Sequence, residues 1–115
     1  MSSFALSHQA EIDLTAVYLG IADKYGGRAA DKYVGELNLM CVELARKPKK
    51  GRTQGHLPEA IRKHDHTLHG IFYCETEAGI LIVRILGVIG TNEIEKAWFE
   101  DTEASDAMST SRLPH

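Results

Sequence analysis

Hydrophobic residues recur every three or four positions through the first part of the chain, which is typical of one face of an α-helix. One such stripe extends from Ala10 to Ala22, and Ser7 stands before it as a good N-cap. A second stripe extends from Ala30 to Leu44, within a helix predicted over residues 28–46. The pair Gly26-Gly27 ends the first helix and leaves only a short connection, so the sequence predicts an antiparallel helix hairpin.

A different pattern follows in the second half, where two apolar runs replace the helical stripes. The run from Ile71 to Cys74 is β-branched and aromatic, and the run from Ile80 to Leu86 is apolar except for Arg84. The residues between them, 75–79, end in Gly79, which tolerates a positive φ. Because this connection is too short for a crossover, the two runs are predicted as antiparallel strands. The second run is continuous and apolar, and is predicted as the central strand.

Two weaker strand signals complete the predicted sheet. Residues 3–6 place Phe4 and Leu6 on one face, and the run from Ile61 to His66 is polar enough to lie near an edge. The predicted fold is therefore α+β, with an N-terminal strand and a two-helix hairpin packed on one face of a small antiparallel sheet, in the order β-α-α-β-β-β. The residues expected between the helices and the sheet are Leu14, Val17, Ile21, Leu37, Leu44, Phe72 and Ile82.

The pattern changes again after Leu86. Gly87 interrupts the apolar run, and Asn92 stands as a cap before a short amphipathic stretch that contains Trp98 and Phe99. Residues 101–115 are small, polar and acidic, a composition typical of a flexible tail. We therefore predict a domain over residues 1–90, a short helix over 91–100, and a tail over 101–115 that can be deleted with little effect on stability.

Composition fits one soluble globular domain of 115 residues, with 43% hydrophobic and 25% charged side chains. No run approaches the length of a membrane span and no leader pattern precedes the first strand, so a cytoplasmic protein is expected. Cys41 and Cys74 lack metal-type spacing and are predicted as reduced thiols.

Charge is distributed unevenly, although the formal net charge is only −3. Residues 46–84 carry eight basic and four acidic side chains, and five of those cations stand in the loop from Arg46 to Arg52. One interpretation is a solvated loop whose cations lie favourably near a helix C-terminus. The other is a contact with phosphate or with an acidic partner, because only this part of the chain has an excess of positive charge.

Three histidines, His64, His66 and His69, stand close together in the segment HDHTLH. Two histidines on one strand face could bind a metal through their imidazole nitrogens. No carboxylate or thiolate spacing supports a closed site, and Asp65 points to the opposite face, so surface histidines are the favoured interpretation. The sequence also lacks a nucleophile elbow, a P-loop and a Cys-x-x-Cys pair, and no metal or cofactor is expected.

Five short motifs occur in a fixed order between residues 4 and 86. They are Leu6-Ser7-x-x-Ala10-x-x-Asp13-Leu14, Leu44-Ala45-x-x-Pro48-x-x-Gly51-Arg52, Ile61-Arg62, His69-x-Ile71-Phe72-Tyr73 and Ile82-x-Arg84-Ile85-Leu86. As an ordered set they resemble the ParE family within the ParE/RelE superfamily of bacterial toxin–antitoxin toxins. The family often continues the last motif with histidine, where this chain has Gly87, and residues 88–115 extend past the point where many members stop.

The resemblance implies the toxin of a type II toxin–antitoxin system, which arrests growth and is neutralised by a cognate antitoxin. DNA gyrase is the expected target, direct contact with nucleic acid or membrane is not expected, and a homodimer remains open. The residues expected to contact the target are Lys49, Lys50, Arg52, Arg62, Trp98 and Phe99.

The resemblance also leaves two alternatives. Members of the RelE branch cleave mRNA on the ribosome, and such a reaction needs cations around the scissile phosphate together with a general acid or base. A non-toxic binding module of the same fold is the other alternative. The residues available for cleavage are Arg52, Arg62, His69 and Arg84, with His64 as a second candidate base.

Three features of the sequence favour a protein that is not an enzyme. The chain is acidic overall, and no tyrosine follows Tyr73. Arg84 stands within a central strand, where an arginine more often pairs with a carboxylate than contacts a substrate. We therefore predict a protein that acts by occupying the surface of another protein.

Overall fold

The computed structural model describes residues 3–87, and the predicted helix over 91–100 and tail over 101–115 lie outside the described residues. Two helices follow the first strand, and four strands follow the helices. The elements are β1 (Ser3–Leu6), α1 (His8–Tyr25), α2 (Gly27–Arg46), a 3-10 turn (Pro48–Lys50), β2 (Arg52–Thr53), β3 (Arg62–His66), β4 (His69–Glu75) and β5 (Gly79–Gly87).

The strands form one five-stranded sheet in the order β1-β5-β4-β3-β2. Strands β3, β4 and β5 are antiparallel neighbours, as predicted, and β5 has a neighbour on each side. The two-residue strand β2 was not predicted, and it pairs antiparallel with β3. β1 runs parallel to β5, with Leu6 opposite Ile82, so the predicted antiparallel sheet is corrected to a mixed one. The physical reason is that the chain passes through both helices before it reaches the sheet again, and a connection of that length permits parallel pairing. The α+β class and the order of elements are confirmed.

Local signals in the sequence determine where α1 begins and ends and where α2 begins. The Ser7 hydroxyl accepts a hydrogen bond from the Ala10 N–H at 3.0 Å, which confirms the predicted N-cap of α1. Gly26 ends α1 with a φ of 95°, a backbone conformation that residues other than glycine rarely adopt. α2 begins at the next residue. Since Gly26 is the whole connection, the two helices form the predicted hairpin.

The core lies between the hairpin and one face of the sheet. Of the predicted core residues, Ile21, Leu37, Leu44 and Ile82 are buried, while Leu14 and Val17 are partly buried against them. Phe72 was expected there and is only half-buried, whereas both of its neighbours on β4 are fully buried. Successive side chains of a strand point to opposite faces, so Ile71 and Tyr73 occupy the core face and Phe72 the other. Both cysteines are free thiols, and burial raises the pKa of Cys41 to about 11.

An irregularity in β5 decides where Arg84 points. Phe72 pairs with Arg84, but the next residue of β4, Tyr73, pairs with Ile82, so Val83 is an extra residue without a partner in β4. This β-bulge shifts the alternation, and both Ile82 and Ile85 are therefore buried although they are three positions apart. Arg84 is directed away from the core, with 44% of its side chain exposed.

Candidate functional site

The bulge in β5 is bound by side chains from the start of α1. The Ser7 hydroxyl donates to the carbonyl oxygen of Val83 at 2.8 Å. Arg84 donates to both carboxylate oxygens of Asp13, from Nε at 2.7 Å and from Nη2 at 2.9 Å, and the Ile85 N–H donates to the same carboxylate at 3.0 Å. The first and last motifs of the sequence thus meet in one hydrogen-bonded cluster, which we call the bulge cluster.

Charges in the bulge cluster are matched within the fold. The hydrogen bond from Arg84 is the main cause that lowers the pKa of Asp13, and the Ile85 N–H acts in the same direction, while burial opposes both. The prediction that Arg84 pairs with a carboxylate is confirmed. A guanidinium engaged by both oxygens of a carboxylate is poorly placed to hold a substrate phosphate as well.

A second cluster fixes the loop that follows α2. The Tyr73 hydroxyl donates to the Pro48 carbonyl at 2.7 Å and accepts from the Gly51 N–H at 2.7 Å. Arg62 Nη1 donates to the Gly51 carbonyl at 2.8 Å. A Cβ atom on Gly51 would lie 2.8 Å from Tyr73 Cε1, closer than packed atoms approach, so this position requires glycine. The motif Pro48-x-x-Gly51 therefore provides the backbone groups to which Tyr73 and Arg62 bind.

The fixed loop forms one wall of a polar groove of about 560 Å³, which we call the basic groove. Pairing of β2 with β3 places Arg52 opposite Lys63, and Lys50 reaches the groove from the 3-10 turn. Its lining residues are Lys50, Arg52, Gln54, Lys63, His64 and Asp65. Asp65 is the one acid among them, and its carboxylate lies 3.3 Å from Lys63 Nζ, so the lining keeps an excess of positive charge.

The pKa of His64 is lowered in this groove, which favours the neutral imidazole. Burial is the main cause that lowers its pKa, and the positive charges of Lys50 and of a protonated His66 act in the same direction, against a smaller effect of Asp65. A neutral imidazole could accept a proton or a hydrogen bond from a bound partner. The sequence pattern had singled out His64 for its place in HDHTLH, but not for its proximity to Lys50.

The predicted target-binding residues are divided by the structure. Lys50 and Arg52 line the basic groove, whereas Lys49 Nζ lies 3.2 Å from a Glu75 carboxylate oxygen. Arg62 donates a hydrogen bond to the Gly51 carbonyl and so supports the loop. Trp98 and Phe99 lie outside the described residues. The basic groove also contains Lys63, which no sequence motif identified.

The residues considered for RNA cleavage do not converge. Arg62 pairs with Tyr73, while His69 lies at the other end of β4, about 13 Å away at 3.3 Å per residue. His69 Nδ1 is 2.7 Å from the buried Tyr33 hydroxyl, and Arg84 binds Asp13 at the opposite side of the sheet from β2. General acid–base catalysis needs its groups within hydrogen-bond reach of one reacting centre, and this set does not meet that condition.

Tyr33 is a buried residue whose polar role the sequence did not reveal. Its hydroxyl contacts the turn between β3 and β4, accepting from the Leu68 N–H at 3.1 Å and lying 3.2 Å from the His66 carbonyl. That turn contains Thr67 with φ of 49°, an unusual value for a β-branched residue. The helical stripe placed Tyr33 in the core correctly, but periodicity carries no information about what its hydroxyl binds.

The three histidines of HDHTLH do not assemble into a metal site. His64 lines the basic groove, His66 Nε2 lies 3.7 Å from a Glu36 carboxylate oxygen, and His69 contacts Tyr33. Within residues 3–87, no group of three His, Cys, Asp or Glu side chains could hold a metal ion. None of the helices in this range is both long and apolar enough to cross a membrane.

Each helix carries large apolar side chains on the surface opposite the core. On α1 these are Ile12 and Leu19, 49% and 61% exposed, and on α2 they are Leu39 and Val42, 69% and 43% exposed. We call these surfaces the α1 outer face and the α2 outer face. These exposed apolar side chains make the two faces candidate contact surfaces.

Comparisons with known proteins identify relatives of this fold. Residues 4–87 match the family model described as the ParE toxin of the type II toxin–antitoxin system parDE. A solved structure entitled "Chromosomal ParDE TA system from P. aeruginosa" is similar, with a TM-score of 0.64 and 21% sequence identity, over 76% of this chain and 97% of that chain. A search of curated proteins found no significant match.

Proposed function

This chain belongs to the ParE toxin family of type II toxin–antitoxin systems, and from that premise we propose that it binds and inhibits DNA gyrase without catalysing a reaction of its own. Inhibition would arrest growth until a cognate antitoxin neutralises the toxin. The observation that carries the proposal is the basic groove, an unmatched cationic surface on a rigid support.

Rigid support is what distinguishes the basic groove from a solvated cationic loop. Tyr73 and Arg62 hold the backbone around Gly51 through three hydrogen bonds of 2.7–2.8 Å. Lys50 and Arg52, next to that anchored segment, therefore keep their positions with little freedom in the backbone. A surface that is ordered before its partner arrives loses less conformational entropy on binding, so the groove is suited to an acidic surface of the target.

A supercoiling assay with purified gyrase tests this proposal. Arg52→Ala should raise the toxin concentration needed for half-inhibition by roughly tenfold, which corresponds to about 1.4 kcal/mol of binding free energy. Arg28→Ala is the matched control, because Arg28 is also an exposed arginine but lies at the start of α2, away from the groove. Equal inhibition by the wild type and Arg52→Ala would contradict the proposed role of the groove, and no inhibition by the wild type would contradict gyrase as the target.

Neutralisation by the antitoxin is proposed to use the α2 outer face and the free edge of β1. Leu39 and Val42 offer exposed apolar area, and β1 is an outer strand of the sheet to which an extended segment can add. Burial rather than charge should dominate this contact. Leu39→Glu should therefore weaken antitoxin binding in isothermal titration calorimetry, while the wild-type affinity should change little between low and moderate salt.

One observation keeps the mRNA endonuclease as a second candidate. His64 has a lowered pKa and lies in the same groove as Lys50 and Arg52, so a candidate base and cations are close together there, unlike the dispersed set around His69. Ribosomes programmed with mRNA provide the test. Cleavage at A-site codons that is lost in His64→Ala would replace the gyrase proposal, and absence of both activities would leave a non-toxic binding module.

A further inference from the structure

A row of side chains crosses the face of the sheet that is turned away from the core. The pairing of β2 with β3 sets Arg52 opposite Lys63. Lys63 is in turn opposite Phe72 on β4, and Phe72 is opposite Arg84 on β5. Directly opposed residues of antiparallel strands share a face, and Phe72 is on the face opposite the buried Ile71 and Tyr73. We call Arg52, Lys63, Phe72 and Arg84 the cross-strand row, in which an aromatic ring lies between cations.

The centre of the cross-strand row is held in place. Lys63 Nζ lies 5.7 Å from the centre of the Phe72 ring and 3.3 Å from a carboxylate oxygen of Asp65. Only 27% of the Lys63 side chain is exposed. A Cβ atom on Gly70 would lie 2.6 Å from Lys63 Cε, so the missing side chain of Gly70 makes room for the lysine beside the ring. The positive charge is therefore fixed next to a half-buried aromatic ring.

The two ends of the cross-strand row differ in the charge that they offer to a partner. At the β5 end, Arg84 is bound by both carboxylate oxygens of Asp13. At the β2 end, Arg52 is exposed and joins Lys50 in the basic groove, where no carboxylate within residues 3–87 pairs with either cation. The row thus continues the basic groove onto the face of the sheet, and its unmatched charge lies on one side of the ring.

We propose that the basic groove and the cross-strand row bind single-stranded DNA, with a base stacked on Phe72 and phosphates at Lys63 and Arg52. Carboxylates of a protein would match the cations but would give the ring no partner. A single strand supplies anionic phosphates together with unpaired planar bases, which stack on aromatic side chains. Two strand spacings separate Arg52 from Phe72, about 10 Å, so neighbouring nucleotides can contact both. Duplex DNA keeps its bases paired, and would use only the cations.

The setting of this contact is the complex of gyrase with DNA, and in that respect the inference rests on the proposed function. It assigns part of the acidic surface of the target to the DNA that gyrase holds. It also replaces the expectation, drawn from the family resemblance, that the toxin does not contact nucleic acid. Binding of DNA by the toxin alone can be measured without gyrase, so the two proposals are tested separately.

Fluorescence anisotropy with a labelled oligothymidylate of about 16 nucleotides, the upper end of typical single-strand sites, measures this binding at low salt. Phe72→Leu keeps an apolar side chain in the sheet but removes the ring, and should weaken binding about tenfold, or about 1.4 kcal/mol. Phe72→Tyr keeps the ring and should retain the affinity. The matched control is Tyr25→Leu, because Lys24 Nζ lies 5.5 Å from the Tyr25 ring, a second lysine–aromatic pair that lies on α1 instead of the sheet. It should leave the affinity unchanged.

Salt dependence tests the phosphate contacts. Each phosphate contact on a single strand contributes about 0.7 to the slope of the logarithm of affinity against the logarithm of salt concentration. Arg52→Ala should lower that slope by about this amount, and Arg28→Ala, at the start of α2, should leave it unchanged. Circular dichroism checks that every variant is folded.

Several outcomes would overturn the assignment of single-stranded DNA. Equal affinities of the wild type and Phe72→Leu would show that no base stacks on the ring, and preference for a duplex of the same length would show that the site reads phosphates alone. Tighter binding of an oligouridylate would make RNA the ligand and favour the endonuclease candidate. Gyrase inhibition without binding of any oligonucleotide would refute this inference and leave the proposed function intact. Binding that depends on Phe72, without gyrase inhibition, would do the reverse.

Discussion

The bulge cluster and the basic groove lie towards opposite edges of the same sheet and differ in their balance of charge. In the bulge cluster, the Asp13 carboxylate is saturated by Arg84 and by the Ile85 N–H. In the basic groove, three cations meet a single acid, Asp65, and the pKa of His64 is lowered. Matched charges stabilise a fold, whereas unmatched charges near one another oppose it slightly and remain available to a partner. The bulge cluster therefore stabilises the fold, and the basic groove is the region that the proposed function assigns to target binding.

The largest expected effect comes from the core on which both regions rest. Ile82→Ala should lower the free energy of unfolding by about 2–5 kcal/mol, because Ile82 is fully buried at the bulge and a cavity would remain. Chemical denaturation measures this directly. Leu86→Ala is the control, since Leu86 lies on the same strand but is 39% exposed, and it should change stability far less. Similar losses in both variants would show that the bulge does not define the core face.

Breaking the bulge cluster should have the next largest effect. Asp13→Ala leaves the buried Ile85 N–H without its acceptor, which should lower the free energy of unfolding by about 1–3 kcal/mol. Because the pKa of Asp13 is lowered in the folded state, its contribution is fully present above the unfolded pKa of about 3.9 and is lost as the pH falls through the lower folded value. The stability difference between wild type and Asp13→Asn should therefore shrink as the pH falls below about 4. A difference that is constant from pH 7 to pH 2, roughly, would contradict this titration.

Sequence reasoning predicted the bulge cluster in kind but not in detail. Arg84, within a strand, was expected to pair with a carboxylate. No sequence signal near Arg84 identifies Asp13 as the partner, because Asp13 is 71 positions away. The bulge itself was not predicted, since Val83 is an ordinary strand residue, and Phe72 was assigned to the wrong face because the strand boundaries left its alternation undecided. By contrast, the caps at Ser7 and Gly26 depend only on neighbouring residues, and both were predicted correctly.

The basic groove was less accessible to prediction. Its loop was recognised as cationic, and Lys50 and Arg52 were named among the target-binding residues. Lys63 joins them only through β2, a strand of two residues that no hydrophobic pattern could mark. The hydrogen bond from Gly51 to the Tyr73 hydroxyl could not be predicted either, because the sequence does not distinguish a tyrosine with such a bond from any other core aromatic residue.

Loosening the loop should affect stability modestly and inhibition more. Tyr73→Phe removes the hydroxyl that binds Pro48 and Gly51 but keeps the ring in the core, so the free energy of unfolding should fall by about 1–2 kcal/mol. The groove would lose its rigid wall, and gyrase inhibition should weaken even under conditions where the variant is fully folded. Tyr33→Phe is the matched control, because it also removes a buried hydroxyl but one that contacts the β3–β4 turn. Inhibition that weakens equally in both variants would reflect general destabilisation rather than the loop.

The smallest expected effect on stability is the one that separates the two regions most sharply. Lys50→Ala and Arg52→Ala remove exposed cations for which no carboxylate partner is seen in residues 3–87, so each should change the free energy of unfolding by less than about 0.5 kcal/mol. Removing either charge also relieves repulsion within the groove, so the small change in the free energy of unfolding should be close to zero or stabilising.

The pKa of His64 should rise in Lys50→Ala, because the positive charge of Lys50 contributes to lowering it, and NMR titration of the imidazole measures this shift. Arg28→Ala should leave the His64 titration unchanged. If Lys50→Ala instead destabilised the fold as much as Asp13→Ala, the basic groove would be a structural cluster like the bulge cluster. The proposed contrast between a cluster that stabilises the fold and a groove that binds the target would then be wrong.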